Sequence, residues 1–260
     1  MTEKKLIKTH ADKKPWQIWI DRGGTFTDLV ARTPDNELVS HKLLSENPEQ
    51  YEDAALQGIR DLVGIKKNEP IPVGLVEVVK MGTTVATNAL LERKGDRVVL
   101  ITTKGFADAL RIGYQHRPDI FAREIILPEM LYEKVIEVDE RIKADGEVLK
   151  APNIESVKVE LQEAFNGGIR SVAIVFMHGY RYTDHEQIFA KLARKIGYTQ
   201  ISVSHDVSPL MKFVSRGDTT VVDAYLSPIL RRYVDRVAKD LAPDQSTGTR
   251  LQFMQSNGGL

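Results

Sequence analysis

The sequence contains no cysteine among its 260 residues. Disulfides, thiolate metal sites and cysteine nucleophiles are therefore excluded, and this composition fits a reducing compartment. The sequence also lacks an excess of either charge, because 36 basic and 36 acidic residues cancel. Nucleic acid and anionic membrane surfaces attract basic proteins, so neither is expected as a partner.

Long apolar runs are also missing. No stretch approaches the roughly 20 apolar residues that a helix needs to cross a bilayer. Residues 1–15 are rich in lysine and lack the apolar segment of a secretory signal, so they are predicted to form a disordered tail. We expect a cytoplasmic protein without a membrane partner, and its 42% hydrophobic content is enough for one large or two smaller cores.

The hydrophobic pattern predicts an α/β protein. The segments Trp16–Ile20, Thr27–Arg32 and Glu37–Lys42 are three short strands in succession and predict an antiparallel meander. After them, strand and helix patterns alternate. The Asp145-Gly146 pair predicts a hairpin within Tyr132–Val148.

One long amphipathic helix is predicted near the end of the sequence. Apolar residues recur at every third or fourth position from Gly217 to Leu241, and Pro228 is expected to kink the helix. The polar string Ser215–Thr220 is predicted to cap its start. The segment Leu251–Met254 then forms a strand that runs into a glycine turn, so we expect a truncated chain.

The strongest functional signal lies between the first two predicted strands. Gly23 and Gly24 permit positive φ and let backbone amides approach phosphate oxygens, while the hydroxyls of Thr25 and Thr27 can donate further hydrogen bonds. Asp21, at the end of the first strand, can hold Mg²⁺ directly or through water. The sequence contains no Gly-Lys-Ser/Thr signature of a P-loop. The pattern favours a phosphate cradle, and the alternative is a plain Gly-Gly hairpin turn.

A second candidate segment, Gly82–Asn88, marks the end of a predicted strand and the start of a helix. Unpaired amides at a helix N-terminus, together with the hydroxyls of Thr83 and Thr84, suit a carboxylate or a phosphate. N-capping by one of these threonines explains the same residues equally well.

A third group is polar and basic: Arg111, Gln115, His116 and Arg117. Guanidinium groups recognise carboxylates and phosphates. Exposed arginines are ordinary, however, so surface salt bridges are the preferred interpretation on sequence alone. The six histidines show no metal-ligand spacing.

Several of these segments resemble the hydantoinase A/5-oxoprolinase family. The resemblance runs from Trp16 to the last residue and is carried by the strings Asp21–Asp28, Gly82–Lys94, Arg117–Asp119 and Ser256–Gly259. Arg22 and the string Val214–Pro228 resemble the 5-oxoprolinase branch, because hydantoinase-like members usually carry an aliphatic residue at the position of Arg22.

The resemblance implies a ribonuclease-H-like, actin-type ATPase fold, shared by actin, sugar kinases and Hsp70, whose first hairpin holds the nucleotide phosphates. Residues 16–213 are then the N-terminal domain, and residues 214–260 begin the following hydantoinase A domain. The second lobe is expected to be incomplete, because the second phosphate loop and the adenosine loop follow residue 260.

The resemblance also implies an ATP-dependent cyclic amide hydrolase that opens 5-oxo-L-proline to L-glutamate with ATP and Mg²⁺. Phosphorylation of the lactam oxygen would create a good leaving group, and in-line transfer requires the metal and oriented phosphates. The alternatives are an ATP-dependent hydantoinase or other lactamase, a small-molecule kinase on the same fold, and a non-catalytic assembly module. The chain is expected to be inactive without its remaining domains.

The roles implied by the resemblance follow the two segments. Asp21 and Arg22 are the implied catalytic residues, and Asp21 is the implied metal ligand. The implied ligands of the ATP phosphates are Gly23, Gly24, Thr25 and Thr27. The predicted substrate-binding residues are Gly82, Thr83, Thr84, Asn88 and Arg117.

The substrate carboxylate is placed on Arg22 or on Arg117, and the sequence does not decide between them. The expected partners are a small-molecule lactam substrate and a hydantoinase B-like domain or subunit. Homo-oligomer formation is left open.

Overall fold

The computed structural model describes residues 14–67, 69–115, 121–127, 129–241, 248–255 and 259. The predicted tail, residues 1–15, lies outside the described residues except for Lys14 and Pro15. The chain divides into two compact units, the first formed by Met1–Leu91 with Leu230–Leu260 and the second by Glu92–Ile229. In the described part of the chain, no helix is both long and apolar enough to span a bilayer.

The elements of the first stretch are β1 (Trp16–Arg22), β2 (Phe26–Arg32), β3 (Leu38–Leu44), α1 (Ala54–Val63), β4 (Val76–Thr83) and α2 (Val85–Leu91). Those of the second unit are β5 (Val98–Thr103), α3 (Ala109–Ile112), β6 (Tyr132–Val138), β7 (Arg141–Ile142), β8 (Val148–Lys150), α4 (Ile154–Asn166), β9 (Ser171–Val175), α5 (Asp184–Ile196), β10 (Gln200–Val203) and α6 (Ser204–Val207). The long helix α7 (Phe213–Leu241) has residues in both units, and β11 (Arg250–Phe253) follows it.

The first unit is built on a mixed five-stranded sheet with the order β11-β4-β1-β2-β3. The predicted meander of β1, β2 and β3 is confirmed, since each neighbouring pair is antiparallel. Strands β4 and β11 run parallel to β1. The carboxyl ends of β1, β4 and β11 therefore lie along the same edge of the sheet.

Helix α1 packs closely on this sheet. Its N-terminus is capped by Asp53, whose Oδ1 accepts a hydrogen bond from the N–H of Leu56 at 3.0 Å. It ends at Gly64, which has φ of 75° in the left-handed region. Gly58 lies where helix and sheet meet, because a Cβ at this position would be 2.6 Å from Cδ1 of Leu29. The core of the unit consists of apolar side chains from the sheet, α1 and the second half of α7, including Ile18, Ile20, Leu29, Ile59, Met81, Tyr233 and Val237.

The second unit is built on a four-stranded parallel sheet with the order β10-β9-β5-β6. Every residue of β5 and β9 is buried. Such continuous buried runs are typical of parallel strands that are covered on both faces. Its core joins the sheet to α4 and α5, through residues such as Ile101, Leu161, Ile174 and Phe189.

Two predictions in this unit are corrected. A hairpin is predicted within Tyr132–Val148, but β6 is not one of its strands, because β6 pairs in parallel with β5. The Asp145-Gly146 turn joins the short strands β7 and β8 instead, and Gly146 has φ of 97° there. Buried Ile136 and Val138 hold β6 in the larger sheet, so tertiary burial overrides the local turn signal.

The predicted cap Ser215–Thr220 is also wrong, because α7 begins at Phe213 and includes these residues. The hydroxyls of Thr219 and Thr220 donate to the carbonyls four residues earlier, which satisfies them within the helix. Gly217 allows close packing, since a Cβ there would be 2.6 Å from Cδ2 of Leu110. The kink expected at Pro228 stays a prediction.

Arg216 is fully buried and is the centre of a polar network in the second unit. Its guanidinium lies 3.6 Å from the carboxylate of Glu186 and donates to the hydroxyl of Ser204 and the carbonyl of Phe176. Glu186 is also fully buried and accepts a hydrogen bond at 2.6 Å from His205. The network joins the carboxyl ends of β9 and β10 to α5 and α7.

Replacing Arg216 by Met should destabilise the protein by about 3 to 5 kcal/mol, because it leaves the buried Glu186 carboxylate with His205 as its remaining cationic partner. The measurement is the midpoint of thermal unfolding, which we expect to fall clearly. The matched control is Arg194→Met on the exposed side of α5, which should not change the midpoint. Equal midpoints for both variants would contradict a stabilising role for the network.

The hydrogen bond with Glu186 raises the pKa of His205, while Asp206 raises it further and burial and Arg216 oppose the rise. Folding therefore favours the imidazolium, whose stabilisation is complete below the unfolded-state pKa of about 6.5 and is lost as the pH rises through the folded-state pKa. We expect His205→Gln to lower the unfolding midpoint more at pH 6 than at pH 9. If the difference in midpoint between wild type and His205→Gln is the same at both pH values, the predicted direction of the pH dependence is contradicted. The control is His41→Gln, which changes a histidine in an exposed pair with Asp61.

Candidate functional site

The β1–β2 loop lies at the edge of the first unit's sheet where β1 and β4 end. It comprises Gly23, Gly24 and Thr25, and the N–H of Gly23 donates to the carbonyl of Phe26 at 3.1 Å. The N–H groups of Gly24 and Thr25 donate to no described residue. Gly24 and Thr25 are exposed, so these two donors are available to a ligand.

Ser45 fixes this loop from the end of β3. Its N–H donates to the carbonyl of Thr25 at 2.9 Å, and its hydroxyl donates to the carbonyl of Gly23 at 2.7 Å. Thr27, which is fully buried, lies 2.9 Å from the same hydroxyl. Since the single hydrogen of Ser45 is used on Gly23, Thr27 is the donor in this contact.

The predicted phosphate contact of Thr27 does not fit this geometry, because its hydroxyl lies beneath the loop and is already committed. Thr27 supports the loop, and Thr25 is the exposed threonine of the pair. Ser45 was missed by sequence reasoning. No local signal marked it, because its partners lie 18 and 22 residues away in the chain.

Glycine is needed at positions 23 and 24 because neighbouring atoms leave little space for a side chain, and not because of the backbone conformation. Neither has φ in the left-handed region, so the positive φ that glycine permits is not used here. A Cβ on Gly23 would lie 3.0 Å from the carbonyl oxygen of Phe26, and one on Gly24 would lie 3.2 Å from Nδ2 of Asn88. The loop therefore has no room for side chains at these positions.

The second predicted segment, Gly82–Asn88, lies directly beside this loop. Strand β4 pairs with β1 so that Gly82 is opposite Asp21 and Thr83 is opposite Arg22. The N–H and the hydroxyl of Thr84 both donate to the carbonyl of Arg22 at 3.1 Å. The structure thus joins two segments that the sequence presented separately.

The threonine hydroxyls of this segment are occupied by local contacts. Oγ1 of Thr83 accepts from the N–H of Val85 at 3.2 Å, and Oγ1 of Thr84 accepts from Asn88 at 3.3 Å. The contact of Thr83 with a backbone N–H fits the capping interpretation, whereas Thr84 accepts from a side chain and makes no cap bond. A direct substrate contact by their hydroxyls stays a prediction.

Asp21 presents an exposed carboxylate beside the loop. No described residue forms a hydrogen bond or an ion pair with it. A Cβ on Gly82 would lie 3.7 Å from Oδ1 of Asp21, so the absence of a side chain at Gly82 leaves the carboxylate accessible. Within the described ranges, no cluster of three or more acidic or histidine side chains surrounds it. A cation here would need further ligands from phosphate oxygens or water.

The remaining predicted residues lie elsewhere. Arg117 and His116 fall outside the described residues, as do Ser256, Asn257 and Gly258. Arg111 belongs to α3 in the second unit. The structure therefore does not test the choice between Arg22 and Arg117 for a carboxylate.

The sheet of the first unit, with three antiparallel strands followed by two strands parallel to β1, has the topology of an actin-type ATPase fold. Solved structures agree. The ATP-dependent caprolactamase from Pseudomonas jessenii matches with a TM-score of 0.77 and 29% identity, over 94% of this chain and 36% of that one. Nucleotide-free acetone carboxylase matches with a TM-score of 0.68 and 20% identity, over 95% of this chain and 37% of that one, which shows the fold alone.

The chain belongs to the hydantoinase/oxoprolinase family. Residues 17–197 match its N-terminal region, and residues 216–260 match the hydantoinase/oxoprolinase domain that follows. Similar proteins include 5-oxoprolinases from Dictyostelium discoideum, at 41% identity over 95% of this chain, and Saccharomyces cerevisiae, at 40% over 94%. The chain spans 22% of the length of each. The domain boundary predicted between residues 213 and 214 stays a prediction.

Replacing Ser45 by Ala should destabilise the protein by about 1 to 3 kcal/mol, because the buried hydroxyl of Thr27 loses its acceptor. We expect the double variant Ser45→Ala with Thr27→Val to recover part of this loss, since it leaves no unpaired hydroxyl. Thermal unfolding measures both effects. Ser40→Ala on the exposed side of β3 is the control, and an equal midpoint for Ser45→Ala and Ser40→Ala would contradict the role of Ser45.

Proposed function

We propose that this chain is the N-terminal part of an ATP-dependent cyclic amide hydrolase that opens 5-oxo-L-proline to L-glutamate, with cleavage of ATP to ADP and phosphate. The observation that carries the proposal is the exposed loop of Gly24 and Thr25, whose free N–H groups lie beside the free carboxylate of Asp21. The relatives named 5-oxoprolinase and the ATP-dependent caprolactamase support the reaction class.

The residues at this edge fit the phosphates of ATP. A phosphate group needs several N–H donors that converge without intervening side chains, as in backbone anion sites. Gly24 leaves this space open, because a Cβ there would contact Asn88. We assign the phosphate contacts to the N–H groups of Gly24 and Thr25, because the N–H of Gly23 is used on Phe26, and Thr27 holds the loop from below.

The same edge fits Mg²⁺ through Asp21. An exposed carboxylate that has no partner among the described residues and precedes the loop in the chain is the kind of oxygen ligand that Mg²⁺ takes together with phosphate oxygens and water. ATP, when bound, supplies the phosphoryl group that turns the lactam oxygen into a leaving group. In this proposal Asp21 orients the metal, and the loop amides orient the phosphates.

The substrate is proposed to lie against the start of α2, near Gly82, Thr83, Thr84 and Asn88. The hydroxyls of Thr83 and Thr84 and the N–H groups of Thr84 and Val85 already make contacts, so the side-chain amide of Asn88 is the group proposed to contact the substrate. The hydrolytic step is assigned to the remaining part of the protein. A hydantoinase B-like domain or subunit is the proposed partner, and the lack of cysteine supports a cytoplasmic location.

Asp21→Asn in the full-length protein should lower the rate of 5-oxoproline-dependent ADP release by about a hundredfold or more, because a misplaced metal removes several kcal/mol of transition-state stabilisation. The measurement is coupled detection of ADP with and without 5-oxoproline. Asp61→Asn, which breaks an exposed pair with His41, is the control and should retain activity.

The products distinguish the alternatives. Glutamate, detected by mass spectrometry, supports the proposal, whereas a stable phosphorylated product would indicate a small-molecule kinase. ADP release with hydantoin or caprolactam, but not with 5-oxoproline, would assign the chain to another lactamase. Full activity of the Asp21→Asn variant would contradict the role of the loop.

A further inference from the structure

Arg22 carries a guanidinium that has no anionic partner. The side chain is half-buried, and no described carboxylate lies within ion-pair distance of it. Its Nε is buried and forms no hydrogen bond. A buried donor without a partner costs free energy, and a buried charge without a partner costs more. An unpaired cation held in this way beside a candidate site indicates a missing anionic ligand.

The position of the guanidinium follows from strand alternation. Arg22 lies on the same face of β1 as buried Ile18 and Ile20, which is the face covered by α1 and α7. Its Cζ lies 4.9 Å from the centre of the Tyr233 ring, a cation–π arrangement. The hydroxyl of Tyr233 contacts Sδ of Met81 at 3.3 Å, so the ring beneath the guanidinium is itself fixed.

The acid that acts on Tyr233 together with Arg22 does not neutralise Arg22. Asp53 is buried and serves as the N-cap of α1, where it accepts from the N–H of Leu56. Burial, followed by the charge of Asp53, raises the pKa of Tyr233, while the charge of Arg22 lowers it. Asp53 therefore raises the pKa of Tyr233 and caps α1. It forms no ion pair with Arg22 in the described chain.

The backbone of Arg22 is also held in place. Its carbonyl receives two hydrogen bonds from Thr84, and the free amides of Gly24 and Thr25 follow it directly in the chain. Asp21 and Arg22 point to opposite faces of β1. A cation at Asp21 and an anion at Arg22 can therefore be bound at the same edge without competing for space.

We propose that Arg22 binds an oxyanion of a ligand at this edge. A guanidinium donates two parallel hydrogen bonds to a carboxylate or a phosphate, which satisfies both its charge and its buried donor. The inference rests on the proposed function, in which two ligands carry such a group: the lactam substrate has a carboxylate, and ATP has phosphates. Arg22 is thus a binding residue, and the test distinguishes the two sources.

The experiment compares the full-length protein with its Arg22→Gln and Arg22→Lys variants. Steady-state KM values are measured separately for Mg-ATP and for 5-oxoproline. We expect Arg22→Gln to raise one KM about ten- to a hundredfold, the loss expected for a charge-assisted hydrogen bond. Arg22→Lys should recover part of the loss, because it keeps the charge without the two-pronged geometry.

The matched control is Arg32→Gln. The Cζ of Arg32 also lies over an aromatic ring of the same hairpin, 5.9 Å from the centre of the Trp19 ring. Arg32 is opposite Gln17 in the β1–β2 ladder, at the end of the hairpin that is far from the loop. Its removal should change neither KM. The neutral lactam 2-pyrrolidinone, which lacks the carboxylate of 5-oxoproline, gives a second control.

A raised KM for 5-oxoproline, with wild-type behaviour toward 2-pyrrolidinone, assigns the site to the carboxylate. A raised KM for Mg-ATP assigns it to a phosphate. If Arg22→Gln lowers only kcat or thermal stability and leaves both KM values within twofold of wild type, Arg22 is structural and the inference fails. Should Arg22→Gln not fold, Arg22→Lys supplies the same comparison.

Failure of the proposed function is recognised separately. If the wild-type protein releases no ADP with 5-oxoproline, that function is wrong. Calorimetric titration of wild type and variants with Mg-ATP and with 5-oxoproline then still tests Arg22. Equal dissociation constants for wild type and Arg22→Gln would overturn the inference in that case.

Discussion

The candidate site depends on the register between β1 and β4. The two strands are parallel, and their pairing places Asp21 opposite Gly82 and Arg22 opposite Thr83. Because of this register, Thr84 reaches the carbonyl of Arg22 across 62 residues of sequence. A shift by one residue would exchange the faces to which Asp21 and Arg22 point, since side chains alternate along a strand. The guanidinium of Arg22 would then leave the face on which it lies over the Tyr233 ring.

Two arginines of the described chain differ in how fully their guanidinium groups are bonded. Arg216 is fully buried, and every part of its guanidinium is bonded to Glu186, Ser204 or backbone carbonyls. Arg22 is half-buried beside an exposed loop, and its Nε has no partner. Most buried polar groups in native structures have a partner, and we propose that a ligand supplies it for the Nε of Arg22.

Sequence reasoning was reliable where the signal was local. It placed the three strands of the meander and the loop at Gly23 and Gly24 in agreement with the structure. It was less reliable for the physical reason behind a residue. The positive φ that Gly23 and Gly24 permit is not used, and close approach of the Phe26 carbonyl and of Asn88 is what makes a side chain tight at these positions. Similarly, Ser215–Thr220 has the composition of a cap but lies within α7, where Arg216 is drawn into the core.

The sequence by itself determined the types and order of the elements, because hydrophobic periodicity and glycine placement act over a few residues. It also marked Asp21–Asp28 and Gly82–Asn88 as unusual. Only the tertiary structure decided that these two segments form one site, that Ser45 holds the loop, and that Thr27 is buried beneath it. These outcomes depend on contacts between residues far apart in the chain, and strand pairing and burial select such contacts without a local signal in the sequence.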